Sequence, residues 1–170
     1  MKKVLFLCVG NSCRSQMAEG FARKYGSDVL VPSSAGFAPA NIVQPLTKKV
    51  MEAKNINIDD QFPKDLDQVG VAQFDLIVNM SGNKLPGRML VEVREWMIED
   101  PIGQSEETYV QVRDELENQV MRLILDLRRD ARKAVETRKG RETQKIVEKS
   151  IEPKEPTRRL LGHRRARAHS

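Results

Sequence analysis

Histidine, cysteine and aromatic side chains are scarce in this chain of 170 residues, and each scarcity removes a class of chemistry. Its two histidines, His163 and His169, both fall in the last eight residues. A Ser-His-Asp triad or a histidine-rich metal site inside a fold is thereby excluded. Its two cysteines, Cys8 and Cys13, are too few for a disulfide scaffold or a four-cysteine zinc centre. No apolar run approaches the roughly 18 to 20 residues of a membrane span. The stretch Val4–Val9 after Met1-Lys2-Lys3 has the length of a buried strand and lacks the small-residue cleavage site of a signal peptide. The expected location is cytoplasmic. Chemistry is left to Cys, Asp, Glu, Lys, Arg or Tyr, or to a borrowed cofactor.

Charge is unevenly spread. Residues 1–130 hold 16 Lys+Arg against 19 Asp+Glu, a net of −3, whereas residues 131–170 hold 13 against 5, a net of +8. The last aromatic residue is Tyr109, so the basic stretch cannot build a core of its own. The expected division is a globular domain at 1–130 and a basic tail at 131–170. The tail reads in two ways. One is a solvated helical extension that frays after Pro153 and Pro156. The other is electrostatic attachment, led by Arg158, Arg159, Arg164, Arg165 and Arg167, to an acidic protein partner, an anionic membrane surface or nucleic acid. With no aromatic interleaving, any nucleic-acid contact would be non-specific and salt-sensitive.

Along the chain, strand and helix patterns alternate. Val4–Val9 reads as a buried parallel strand. A helical pattern runs from about Gln16 to Gly26, and Val29–Val31 reads as a short second strand. Ser33-Ser34-Ala35-Gly36 reads as a turn, and Pro45 opens a helix that ends near Asn55. A short helix around Pro63–Val69, a third strand at Phe74–Met80 and a fourth at Val91–Trp96 follow. Ser105 is the expected cap of a long helix whose apolar stripe runs Tyr109, Val112, Leu116, Val120, Leu123, Ile124 and Leu127. The pattern implies an α/β sandwich with a mostly parallel sheet, where ligands sit at the carboxyl ends of the strands.

The segment Cys8-Val9-Gly10-Asn11-Ser12-Cys13-Arg14-Ser15 leaves a strand and enters a helix. Amide hydrogens and the helix dipole favour an anion there. Gly10 and Asn11 tolerate positive φ, so the loop can curl into a nest for a tetrahedral oxyanion. Its amides, from Val9 to Cys13, and Ser15 are the candidate oxyanion-binding groups. The same positive field favours a thiolate at Cys8, the candidate nucleophile. Arg14 can fold back and bind two oxygens with its planar fork. Read alone, Cys8 would be a small buried hydrophobe. Displacement at phosphorus also needs a proton donor, and Asp100, ahead of Pro101, is the best candidate; otherwise Asp100-Pro101 is a turn that ends a strand. Cys13 either packs in the loop or bridges to Cys8 under oxidation.

These stretches, with Ser34-Ala35-Gly36 and Phe74–Val78, resemble the low-molecular-weight protein tyrosine phosphatases and the arsenate reductases that share their fold. The resemblance covers about residues 1–130. It implies a three-layer sandwich with a four-stranded parallel sheet and helices on both faces. It implies that Cys8 forms a phosphocysteine, that Arg14 clamps the oxyanion, and that Asp100 acts as acid and then as base for water. Asn11 and Ser34 would hold the loop's shape, and Ser15 would bond the sulfur. No metal or organic cofactor is expected. Gln16-Met17-Ala18-Glu19-Gly20 and Val112–Leu116 look like the reductase side, and Ile102, Gly103 and Ala40 stand where phosphotyrosine enzymes carry aromatics. Against a thioredoxin-coupled reductase, Met80-Ser81-Gly82 sits where that branch carries its resolving thiols. Hydrolysis of a phosphorylated protein or small phosphomonoester is therefore placed first. Arsenate reduction with a small thiol or a glutaredoxin-like partner is second, and an anion-binding module with a basic interaction tail is third.

Overall fold

The apolar run at the N-terminus becomes an inner strand of the sheet. β1 (Lys2–Cys8) pairs in parallel with β2 (Leu30–Gly36) on one side and with β3 (Leu76–Asn79) on the other. β4 (Glu92–Glu95) pairs in parallel with β3, giving the order β2-β1-β3-β4. The computed structural model describes residues 1–88 and 90–151. The tail arginines from Arg158 onward, His163, His169, Pro153 and Pro156 lie outside the described residues.

Alternate side chains of β1 feed two cores, because successive strand residues point to opposite faces. Val4, Phe6 and Cys8 pack with Met17 and Phe21 of α1 (Arg14–Tyr25), Val50 and Met51 of α2 (Pro45–Glu52), and Leu116 and Ile124 of α4 (Glu106–Ile151). Leu5 and Leu7 pack with Leu66 of α3 (Leu66–Val69), Phe74 and Ile77. The fold is thus a four-stranded parallel sheet covered on both faces. Ser105 caps α4 by accepting the Thr108 amide at 3.4 Å, and the stripe from Tyr109 to Leu127 is buried as its spacing predicts.

The chain divides into two units, Met1–Lys133 and Ala134–Ser170. In the second, the described residues are helical and their described side chains are exposed. Among the described residues, no helix is long and apolar enough to cross a membrane.

Two sequence expectations shift. Ser33–Gly36 is not a turn but the second half of β2, in register with β1 from Leu5↔Ser33 to Cys8↔Gly36. Small and polar residues there carry no apolar pattern, so the strand is invisible until its partner is known. Gly36 is required by close approach: a Cβ would lie 2.5 Å from the Val9 carbonyl oxygen and 2.9 Å from the Asn11 nitrogen. The short helix starts at Leu66, not near Pro63, because Asp65 forms a capping box with Gln68. Gln61–Lys64 ahead of it is irregular chain.

Candidate active site

The turn from β1 into α1 brings the conspicuous residues together. Asn11 takes φ +47°, the only positive φ between Cys8 and Ser15; Gly10 does not need one. Asparagine tolerates this region better than most side chains. The loop carbonyls are drawn outward. Cys8, Val9, Gly10 and Ser12 oxygens accept from the amides of Phe37 (3.3 Å), Ala38 (2.9 Å), Ala40 (2.9 Å) and Gln44 (3.0 Å). The Asn11 oxygen accepts from Gln16 Nε2 at 2.8 Å. In a trans peptide the N–H points opposite to the C=O. The amide hydrogens of Val9, Gly10, Asn11, Ser12 and Cys13 are therefore sent the other way, as an anion nest requires.

A cavity of about 260 Å³ opens on this loop, lined by Cys8, Val9, Gly10, Ser12, Cys13, Arg14, Ala38, Ala40, Asp100 and Ile102. Asn11 and Ser15 are fully buried and are not among its lining residues. Ser15 Oγ sits 2.9 Å from Cys8 Sγ and accepts from Asn11 Nδ2 at 2.7 Å. Since the Asn11 amide already occupies a lone pair of that oxygen, the serine's own hydrogen is free to point at the sulfur.

Arg14 is buried, and its guanidinium is held from three sides. Nη1 donates to the carbonyls of Met80 (2.6 Å) and Ile98 (3.1 Å), and Nη2 pairs with Asp100 Oδ2 at 2.9 Å. Nε is buried without a hydrogen-bond partner. An orphaned donor beside a cavity is costly unless something there accepts from it, and an oxyanion would. Asp100 is 43% exposed through its side chain and also accepts the Ile102 amide at 3.3 Å.

Ser34 is fully buried, and its hydroxyl donates to the buried Glu19 carboxylate. Glu19 also binds Arg23, and Lys64 Nζ stands 3.8 Å away. Burial pulls the Lys64 ammonium below the usual lysine range, and the Glu19 charge partly restores it. The Asn11 side chain is fixed by the Lys64 amide, which donates to Asn11 Oδ1 at 2.8 Å. Cys8 and Cys13 are both free thiols. Cys13 Sγ lies 3.5 Å from the buried Tyr109 hydroxyl. Burial pushes that phenol far above its ordinary range, with Cys13 and Asp100 adding to the effect. Sequence reading missed Gln61 and Tyr109, since a lone amide and a helix-stripe tyrosine announce nothing about a loop far away in the chain. Among the described residues, no group of three or more His, Cys, Asp or Glu is placed to hold a metal ion.

Comparison with known proteins agrees with this geometry. Residues 3–133 match the model of the family described as low molecular weight phosphotyrosine protein phosphatase. The glutaredoxin arsenate reductase of Synechocystis sp. is 37% identical over 128 residues, covering 73% of this chain and 97% of that protein. Arsenate reductase 1 of Bacillus cereus is 38% identical over 119 residues, 68% of this chain and 88% of that one. A solved arsenate reductase in the phosphate-binding state superposes with a TM-score of 0.70 at 34% identity, over 75% of this chain and 99% of that one. The YwlE arginine phosphatase of Geobacillus stearothermophilus shares the fold, with a TM-score of 0.64 at 23% identity, over 76% of this chain and 95% of its own. This chain belongs to the low molecular weight phosphotyrosine protein phosphatase family and is an enzyme of that family.

Proposed function

We propose that this enzyme reduces arsenate, using Cys8 as nucleophile and a thiol from outside the chain as reductant. The observation that carries the reading is the match to the Synechocystis glutaredoxin arsenate reductase along 97% of that protein's length. The cavity supports it: Ala38, Ala40 and Ile102 are among its lining residues, and none of the described lining residues is aromatic, so no ring sandwiches a phenyl group. The order of the two readings is thus the reverse of the one the sequence suggests.

In this reading the loop amides and Arg14 hold the tetrahedral oxyanion, with Arg14 Nε donating to it. The Cys8 thiolate, steadied by the Ser15 hydroxyl, attacks arsenic(V). An S–As bond forms, an As–O bond breaks, and Asp100 protonates the departing oxygen. An external thiolate then attacks Cys8 Sγ. The S–As electron pair leaves with arsenic, which departs as arsenite, reduced from As(V) to As(III). A second external thiol breaks the mixed disulfide and restores Cys8. A small thiol or a glutaredoxin-like protein fills this role, because the segment Met80-Ser81-Gly82 after β3 holds no cysteine.

That same gap favours a second reading. Hydrolysis of a phosphomonoester through a phosphocysteine needs only Cys8, Arg14 and Asp100, and all three line one cavity. One purified sample, assayed on arsenate with glutathione and glutaredoxin and on p-nitrophenyl phosphate alone, separates the two. Arsenate-dependent thiol oxidation well above aryl phosphate turnover is expected. Aryl phosphate turnover with no arsenate-dependent thiol oxidation overturns the reductase reading in favour of hydrolysis. The basic stretch 131–170 is proposed as a separate appendage for an acidic partner. Its removal is expected to leave both assays unchanged, and salt is expected to weaken whatever it binds.

A further inference from the structure

We propose that Gln61 is a positioning residue for the anion-holding loop: through Gln16 it fixes which way the Asn11–Ser12 peptide faces. Two buried amide side chains stand outside the cavity lining. Gln16 is fully buried and Gln61 is 5% exposed. Gln61 Nε2 donates to the Gln16 carbonyl at 3.0 Å and to Gln16 Oε1 at 2.7 Å. A side-chain amide can be turned either way, but with Oε1 taken by a donor, Gln16 must present its Nε2 to the opposite side. That nitrogen donates to the Asn11 carbonyl at 2.8 Å and to the Phe62 carbonyl at 3.1 Å.

The consequence falls on the cavity. Holding the Asn11 carbonyl outward sends the Ser12 amide hydrogen inward, where an oxyanion accepts it. The neighbouring Lys64 amide sets a second polarity. By donating to Asn11 Oδ1 it forces Asn11 Nδ2 toward Ser15, and the Ser15 hydroxyl toward Cys8. Gln61–Lys64 therefore works as a brace that orients donors without touching the anion. Asn11 at φ +47° is strained, and strain of this kind persists only where its surroundings over-determine it.

The inference rests on the loop being an oxyanion site, which both readings above share, and not on whether arsenic or phosphorus reacts. Its test uses the full chain and inorganic phosphate as the probe. Calorimetry of phosphate binding is compared among wild type, Gln61→Met and Gln61→Glu. The methionine variant keeps the bulk and loses the donor, so phosphate affinity is expected to fall roughly three- to tenfold, the scale of one lost hydrogen bond. Gln61→Glu places an acceptor against Gln16 Oε1, which turns the Gln16 amide and aims an oxygen at the Asn11 carbonyl. A larger loss is expected. In steady-state arsenate reduction the methionine variant raises KM more than it lowers kcat, which a merely destabilised enzyme below its melting temperature does not do. Gln16→Met, a second route to the same break, is expected to match Gln61→Met, with no further loss in the double variant. Wild-type phosphate affinity in a folded Gln61→Met protein overturns the inference alone. No phosphate binding by wild type overturns the site reading beneath it.

Discussion

Two loops leave the carboxyl ends of neighbouring strands and are built in opposite ways. After β1, the loop from Val9 to Cys13 is pinned: its carbonyls are bonded outward, Asn11 and Ser12 are buried, and Arg14 reaches from it to Met80, Ile98 and Asp100. After β3, the chain is open. Gly82, Asn83, Lys84, Pro86, Gly87 and Arg88 are exposed, and Gly82 and Gly87 have positive φ with no atom within 4 Å of an added Cβ. The first loop is held in the form that the proposed grip on an anion over one sulfur requires. The second, residues 80–91, carries no cysteine. Under the proposed reduction this contrast amounts to a division of labour: nucleophilic attack is built into this chain, and the completing electrons come from outside.

The comparison breaks most sharply at the sulfur. Cys8→Ser is expected to cut turnover on the order of 10³-fold or more while phosphate still binds, as calorimetry would register. Arg14→Lys comes next. A point ammonium cannot serve Met80, Ile98, Asp100 and an oxyanion from one plane, so kcat/KM should drop on the order of 100-fold. A matched pair of glycine substitutions then contrasts the loops directly. Gly36→Ala drives a methyl into the Val9 carbonyl and should cost about 1–3 kcal/mol in chemical unfolding, with a loss of phosphate affinity. Gly82→Ala meets only the strain of φ +74° and should cost about 1 kcal/mol with activity unchanged. Equal effects from the two would remove the distinction.

The smallest effect concerns Tyr109, packed against Cys13. Its phenol is held protonated by burial, so its value in the folded chain lies above that in the unfolded one. That contribution to stability is complete below the ordinary phenol range and is lost as pH rises through it and beyond. Tyr109→Phe should flatten the alkaline limb of a stability-against-pH curve and leave the neutral region's slope unaltered.

How far the sequence discloses this molecule differs by element. Runs such as Val4–Cys8 and the stripe from Tyr109 to Leu127 announce themselves, because burial on a strand or one helix face demands a period. The Cys8–Ser15 loop is legible for a different reason: chemistry crowds unusual residue types into consecutive positions. Ser33–Gly36 is not legible, since its strand character comes from pairing with β1 and its glycine from a contact with Val9. Asp100 is legible only as a candidate; its 2.9 Å contact with Arg14 depends on β4 ending beside β3. Gln61 is silent in sequence, because its meaning lies in the orientation of an amide 45 positions away.

The division of labour is tested most directly by single-turnover release of arsenite. Reduced protein, freed of all added thiol, is mixed with excess arsenate, and arsenite is counted per chain before and after glutathione and glutaredoxin are supplied. Almost none is expected before and repeated turnover after. One arsenite per chain with no thiol added would contradict it, because the chain would then hold its own resolving electrons.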